Sequence, residues 1–181
     1  MTLQTFQDLY VEQLRDLYSA ETQLIDALPK MIEQASDAEL RSGFEQHLME
    51  TRNQQERLAT IIRGLGKDPE GHTCAAMKGL VKEANEFIAD THSVLSEDTP
   101  RTVRDAGLIA AAQRVEHYEI AAYGTVCEYA KALGRTEDLA LLKQSIAEEK
   151  ATDEKLTRLA EGWINEAALQ SQPANTGSSL F

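Results

Sequence analysis

Apolar residues recur every three or four positions through most of the chain, and this spacing predicts long amphipathic helices. No run of alternating apolar and polar residues indicates a strand, so the predicted fold is all-α. Glycine, proline and small polar residues mark the breaks between helices. The predicted helices cover about residues 2–34, 37–64, 75–96, 100–133 and 136–168.

The four longest predicted helices share one pattern, a seam of apolar residues that advances by alternating steps of three and four. The two helices on each side of the long connection at 65–99 form hairpins. Together the hairpins predict an antiparallel four-helix bundle with one crossover that carries the additional shorter helix. Residues 1–168 then form one helical domain, and residues 169–181, which include Ser, Gln, Pro and Gly, form a flexible tail.

Acidic residues stand near the midpoints of these four helices, where the seam should be buried. Glu21, Glu116 and Glu149 occupy seam positions, whereas Glu50 lies one position beside the seam of the second helix. Because the four helices have similar lengths, acids at their midpoints meet at one level of the bundle. The candidate metal ligands are Glu21, Glu50, Glu116, Glu119, Glu149 and Asp153.

Carboxylates in a bundle core need a counter-charge, because removing an unpaired charge from water costs several kcal/mol or more. Crowded together, they would also have to stay protonated at neutral pH. Two divalent metal ions would remove both costs, and an oxygen-rich ligand set suits Fe or Mn better than Cu or tetrahedral Zn. An alternative stays open, in which some of these acids face solvent through a wider bundle or pair with Lys or Arg as the remnant of a site.

The charge and the composition of the chain narrow the classes of partner. Its 181 residues include 30 acidic and 18 basic residues, a formal net charge of −12. Such a surface repels a phosphate backbone, so nucleic acid is not expected as a partner. The first residues lack the basic and apolar regions of a secretory leader, and no apolar run approaches the ~18 residues of a membrane span. We therefore expect a soluble cytoplasmic protein that does not bind membranes.

Three segments carry a resemblance to a known family: residues 17–24 (LYSAETQL), 47–54 (HLMETRNQ) and 115–124 (VEHYEIAAYG). With these segments the chain resembles the YciE/YciF-like bacterial stress-response proteins of the ferritin-like superfamily, over nearly its whole length. The resemblance implies a ferritin-like four-helix bundle with an added helix. It also implies a family whose biochemical activity is poorly defined.

Rubrerythrin-like members of that superfamily bind two irons through a Glu on the first helix, Glu-x-x-His on the second and fourth, and Glu-x-x-Glu on the third. The carboxylates of this pattern match the chain. The histidines do not, because Asn53 follows Glu50 and Thr152 follows Glu149 at the histidine spacing. Asp153, one position beyond Thr152, could replace a nitrogen ligand with oxygen. With two cysteines, the chain has no four-cysteine electron-transfer site.

Histidines and tyrosines near the candidate ligands are expected to play supporting parts. His47 and His117 each neighbour a candidate ligand and are predicted to lie around the ligands or at the surface. Tyr18 and Tyr123 fall near the site by helical spacing and are predicted to pack in the bundle, where a hydroxyl could hydrogen-bond a carboxylate.

Two functional classes follow from these observations. In the first, the protein oxidises Fe(II), or reduces peroxide, at an oxygen-ligated centre with two metal ions, and its small-molecule partners are peroxide or oxygen. In the second, it is a non-catalytic stress-response bundle that acts through dimerisation or partner binding. The apolar face of the connecting helix, which includes Leu80, Val81 and Phe87, predicts a homodimer.

Overall fold

A computed structural model describes residues 3–88 and 99–171 of the chain, and all regular structure in these residues is helical. No helix within them is long and apolar enough to cross a membrane. The elements are α1 (Phe6–Gln34), α2 (Ala38–Gly64), α3 (Ala75–Asn85), α4 (Arg101–Ala132), α5 (Thr136–Leu159), a π-helical turn (Ala160–Ile164) and α6 (Asn165–Gln170).

The long helices α1, α2, α4 and α5 form a bundle in which α1 and α5 both pack against α2 and α4. Helices α1 and α4 run in opposite directions. Asp105, near the start of α4, accepts a hydrogen bond from the backbone of Ser36, just after α1 ends. At the other end of the bundle, the ring centroids of Phe6 on α1 and Tyr129 on α4 lie 4.8 Å apart. The predicted all-α bundle with one crossover is confirmed.

Two hydrophobic clusters fill the two ends of the bundle. One includes Phe44 and Leu108, and the other includes Leu14 and Leu58. Between them, each long helix contributes buried polar side chains at its middle, so a polar layer crosses the core at mid-depth. This layer is where the sequence places its candidate ligands.

The crossover helix α3 packs against α1 and α4. Its apolar residues Leu80, Val81 and Phe87 are half-buried against the protein's own core. Phe87 approaches closely at Gly107, where an added Cβ would lie 2.4 Å from Phe87 Cδ1. The apolar face that suggested a homodimer is therefore partly covered within the chain. The homodimer stays a prediction.

Two predicted helix ends differ from those in the structure. Helix α1 begins at Phe6 rather than residue 2, because the hydroxyl of Thr5 accepts from the Asp8 backbone N–H at 3.1 Å and the Asp8 carboxylate accepts from the Thr5 backbone N–H at 2.9 Å. Helix α3 ends at Asn85, whereas the sequence predicts residue 96; residues 89–98 lie outside the described part.

Helical structure also runs past the predicted end of the bundle. Helix α6 continues to Gln170, although the sequence predicts that the tail begins at residue 169. The rest of the predicted tail, residues 172–181, lies outside the described residues. The division into a helical domain and a flexible tail stays a prediction.

The π-helical turn changes which residues of the last helix face the core. Stepping along the seam by three and four places Trp163 inside, but Trp163 is 40% exposed and Ile164 is buried instead. A π-turn accommodates an extra residue, so every later position rotates relative to a regular α-helix. The Trp163 indole instead donates from Nε1 to Asp37 Oδ2 at 2.9 Å.

Candidate metal centre

Four glutamates from three helices meet in the polar layer. Glu21 on α1, Glu116 and Glu119 on α4, and Glu149 on α5 are all at most 1% exposed. Glu21, Glu116 and Glu149 stand in the apolar seams of their helices, and Glu119 follows Glu116 by one turn on the same face. The structure thus brings together four of the six carboxylates that the sequence singles out.

A histidine joins these acids from α2. His47 Nε2 lies 3.2 Å from Glu116 Oε1, and Nδ1 lies 4.0 Å from Glu149 Oε2. One ligand atom from each of His47, Glu116, Glu119 and Glu149 can be chosen so that all lie within 4.8 Å of one another. The sequence predicts that His47 lies either around the ligands or at the surface. The surface position is wrong, because its side chain is only 2% exposed. The site therefore includes nitrogen as well as oxygen.

Most polar atoms of this centre lack hydrogen-bond partners. Among the described residues, ten buried side-chain N or O atoms have no such partner, and Arg104 supplies the only one that is not on Gln54, His47 or the four glutamates. Buried polar groups are normally satisfied, and leaving each one unpaired costs roughly 1–3 kcal/mol. This concentration of unpartnered atoms at one place indicates a partner that can accept several lone pairs at once. A metal ion is such a partner.

The electrostatics of the metal-free centre lead to the same conclusion. Burial raises the pKa values of Glu21, Glu116 and Glu119 well above the ordinary range, and the charges of the neighbouring glutamates raise them further. Burial also raises the pKa of Glu149 to about 7 and lowers the pKa of His47 to about 4. The imidazole is therefore neutral at physiological pH, so its contact with Glu116 is not an ion pair. The site combines acids that need cations with a nitrogen lone pair.

The residues present fit a centre for divalent metal ions. Carboxylate oxygens and a neutral imidazole are the ligands that Fe and Mn accept, and the thiolates that favour Cu(I) or structural Zn are absent from this group. The alternative that these acids pair with Lys or Arg is not supported for the four buried glutamates. Within residues 3–88 and 99–171, none of them forms an ion pair with Lys or Arg.

One tyrosine supports the centre directly. Tyr123 is fully buried, and its hydroxyl donates to Glu21 Oε1 at 2.5 Å, which leaves Glu21 Oε2 without a partner among the described residues. Tyr18 is partly buried and packs against the apolar cluster of Leu14 and Leu58, as predicted, and it also lines a surface cleft. A third tyrosine, Tyr118, was not expected from the sequence. Its hydroxyl donates to Asp16 Oδ2 and lies 3.0 Å from the sulfur of Cys74.

Two of the six predicted ligands lie apart from the four buried glutamates. Glu50 is half-buried and accepts a hydrogen bond from Gln46 Nε2 at 2.9 Å. The Asp153 side chain is 21% exposed, and its Oδ1 lies 3.3 Å from Nε2 of the solvent-exposed His117. These two positions agree with the alternative in which some of the acids face solvent.

The sequence contained a second signal on α2, beside the midpoint acid Glu50. The seam of this helix includes His47, Thr51 and Gln54, and all three are buried. The sequence instead selected Glu50, one position beside this seam, and Asn53, at the histidine spacing of the family pattern, is exposed. Polar residues in an otherwise apolar seam would have identified the buried face.

Comparison with known proteins places this chain in a family. Residues 5–169 match the family model described as "Domain of unknown function (DUF892)". The chain is also 44% identical over 169 residues to Protein YciF of Escherichia coli K12, covering 93% of this chain and 98% of that protein. The chain belongs to this family. The resemblance to YciE/YciF-like proteins is confirmed.

Solved structures of YciF-like proteins have the same fold. The crystal structure of the E. coli stress protein YciF matches with a TM-score of 0.82 and 44% identity, over 91% of this chain and 99% of that one. YcfI from Rhodopseudomonas palustris matches with a TM-score of 0.75 and 46% identity, over 85% and 94%. A ferritin-like, diiron-carboxylate protein from Bacillus anthracis matches with a TM-score of 0.65 and 20% identity, over 87% and 99%. The chain therefore has the ferritin-like fold.

Proposed function

We propose that this YciF-like protein binds two divalent metal ions, Fe or Mn, at the buried centre formed by Glu21, Glu116, Glu119, Glu149 and His47. The observation that carries the proposal is the set of unpartnered lone pairs on these residues among the described part of the chain. Glu50 and Asp153 are left out of the proposed ligand set, because both are partly exposed and hydrogen-bonded elsewhere.

Charge balance supports two ions rather than one. Four ionised glutamates and a neutral histidine carry a total charge of −4, which two divalent cations neutralise. A single divalent ion would leave two uncompensated charges in a dry core, where they are costly. The six carboxylates predicted from the sequence would instead have kept a surplus of negative charge.

The proposed activity is oxidation of Fe(II) or reduction of peroxide. Bound Fe(II) would supply the electrons for the reduction of oxygen or hydrogen peroxide. The protein's own part is to hold the ions at fixed positions, to exclude bulk water with the two apolar clusters above and below, and to orient Glu21 through Tyr123. The relatives' names support this function only partly: one is called a stress protein and another a diiron-carboxylate protein.

A non-catalytic role is the second candidate function. In that case the metal is structural, and the protein acts in the stress response through dimerisation or a partner. The absence of a four-cysteine electron-transfer site from the sequence favours it, because sustained redox cycling needs a source of electrons. Homodimer formation and a cytoplasmic location remain predictions.

Metal content tests the centre. Purified protein is stripped with a chelator, loaded anaerobically with Fe(II) or with Mn(II), and desalted. We expect about two equivalents per chain. Uptake below about 0.2 equivalents for both ions would contradict the proposal.

Stopped-flow oxidation separates the two candidate functions. Anaerobic Fe(II)-loaded protein should react with hydrogen peroxide faster than free Fe(II). Glu116→Ala should lose most of this excess rate, since it removes a ligand that contacts His47. Asp153→Asn is the control, because Asp153 is a partly exposed carboxylate near the centre. Identical traces for wild type and Glu116→Ala would favour the non-catalytic role.

A further inference from the structure

A second buried side chain on α2 is left with an unpartnered polar atom. Gln54 is fully buried and lies two turns beyond His47 on the same face of the helix, with Thr51 between them. The Thr51 hydroxyl donates to the backbone carbonyl of His47 at 2.9 Å, so it is satisfied within the helix. His47, through both ring nitrogens, and Gln54, through Oε1, remain as the buried α2 residues with side-chain atoms that lack a hydrogen-bond partner in the described part of the chain.

An ion pair beside Gln54 fixes the orientation of its amide. Gln54 Nε2 donates to Glu148 Oε2 at 3.1 Å. Arg57 holds the same carboxylate with two hydrogen bonds, at 2.6 and 2.9 Å. Because a carboxylate only accepts, the NH2 group must face Glu148. The carbonyl oxygen Oε1 therefore points away from Glu148, and it is the buried atom that lacks a partner among the described residues.

Contacts on both sides place Gln54 at the level of the metal centre. The next residue on α2 donates to Thr22, which follows Glu21 on α1, at 2.8 Å. Glu148, to which Gln54 donates, precedes Glu149 on α5. Gln54 thus lies at the level of Glu21 on α1 and Glu149 on α5.

Gln54 and His47 lie at opposite ends of the centre. Seven residues separate them, which is about 10.5 Å of helical rise. Tyr123, which hydrogen-bonds Glu21, and Leu58, one turn beyond Gln54, belong to the same apolar cluster. Gln54 and Glu21 therefore share the end of the centre that is remote from His47.

We propose that Gln54 Oε1 binds one of the two metal ions at the end of the centre that Glu21 occupies, while His47 binds the other ion. The assignment rests on the proposed two-metal centre. An amide oxygen is an ordinary ligand for hard divalent cations, and it adds no charge. With Gln54 rather than a carboxylate, the ligand charge stays at −4 and two divalent ions leave the core neutral. The Arg57–Glu148 pair acts as a positioning pair that presents the oxygen.

Titration of chelator-stripped protein with Mn(II) tests the assignment, with electron paramagnetic resonance as the spectroscopic measurement. Wild type should bind two ions and give the spectrum of an interacting Mn(II) pair. Gln54→Leu should bind the first ion normally and the second at least about tenfold more weakly. At one bound ion it should show the six-line spectrum of isolated Mn(II). Gln54→Asn, whose amide is shorter by one methylene, should show the same loss with a polar group retained.

Gln55→Leu is the matched control. Gln55 is the adjacent amide, and its Nε2 donates to Thr22 on the outer side of the helix. This variant should keep two ions and the pair spectrum. If both Gln54 variants bind the second ion with wild-type affinity and give the wild-type pair spectrum, the assignment of Gln54 is overturned. The proposed metal centre is then unaffected. Wild-type protein that takes up no Mn(II) or Fe(II) would overturn the metal centre and this assignment with it.

Discussion

Buried acids occur in two very different settings in this protein. Asp105, at the end of the bundle where α1 passes into α2, accepts hydrogen bonds from Ser36 N at 2.8 Å, Ser36 Oγ at 2.5 Å and Asp37 N at 3.0 Å. Asp138, at the opposite end, is held by Arg135 and by the Tyr10 hydroxyl. Both acids have donors directed at their oxygens.

The four glutamates at mid-depth are buried at least as deeply but have almost no donors. Within residues 3–88 and 99–171, six of their eight carboxylate oxygens have no hydrogen-bond partner, and the Tyr123 hydroxyl donates to Glu21 Oε1. Burial alone therefore does not distinguish a structural acid from a functional one. The supply of donors does: a structural acid is satisfied by the fold, whereas an acid that binds a cation keeps its lone pairs free. This difference predicts opposite responses to substitution.

Glu149→Leu should have the largest effect on metal binding and a neutral or favourable effect on the apoprotein. It removes a ligand, so affinity should fall by at least about 100-fold. It also removes a buried acid and places an apolar residue in an apolar seam, so apo stability should be equal or higher. Thermal melts in chelator and metal titrations measure the two effects. A large loss of apo stability would show that Glu149 has a cationic partner.

Asp105→Ala should show the reverse behaviour. It leaves three donors at the α1–α2 connection without their acceptor, which should cost about 2–4 kcal/mol of unfolding free energy. The melting temperature should fall by several degrees, since roughly 1 kcal/mol shifts a chain of this size by about 2–4 °C. Metal stoichiometry should stay at the wild-type value. Unchanged stability with reduced metal binding would reverse the distinction between the two kinds of acid.

The pH dependence of the apoprotein should reflect the donor-poor acids. A carboxyl with a raised pKa in the folded state binds more protons there than in the unfolded chain, so stability falls as pH rises from about 4.5 towards the folded pKa, which is about 7 for Glu149. His47, with its pKa lowered to about 4, contributes in the opposite direction, but only up to about pH 6.5. Above that pH, of these groups only the carboxyls change the stability, and they make it fall as pH rises.

We therefore expect the apoprotein to be less stable at pH 8 than at pH 6.5, by on the order of 1 kcal/mol or more. Saturating Mn(II) should reverse the order, because metal binding needs deprotonated ligands and becomes tighter as pH rises. Melts at the two pH values, with chelator and with Mn(II), measure both effects. An apoprotein that melts higher at pH 8 would contradict the raised carboxyl pKa values.

The sequence predicted the fold and the depth of the centre because both depend on local periodicity. The seam of α1 is buried as predicted, and Glu21 stands within it. The direction in which a side chain points around a helix was harder to predict, because a shift of one residue corresponds to about 100° of rotation. On α2 the position near the helix midpoint selected Glu50, whereas the seam selects His47. Near Trp163 a π-turn that no periodicity reveals shifts the face by one residue.

Glu50→Gln should give the smallest effect and tests that rotation. Glu50 lies beside the centre, and its charge helps to raise the pKa of Glu149, but its carboxylate is partly exposed and bonded to Gln46. Charges of this kind contribute roughly 0.2–1 kcal/mol, so metal affinity should change by less than about fivefold. His47→Gln, the same replacement on the buried face, should weaken binding far more. If Glu50→Gln abolishes uptake of one ion while His47→Gln does not, then the acid near the helix midpoint, rather than the seam residue, is the ligand on α2.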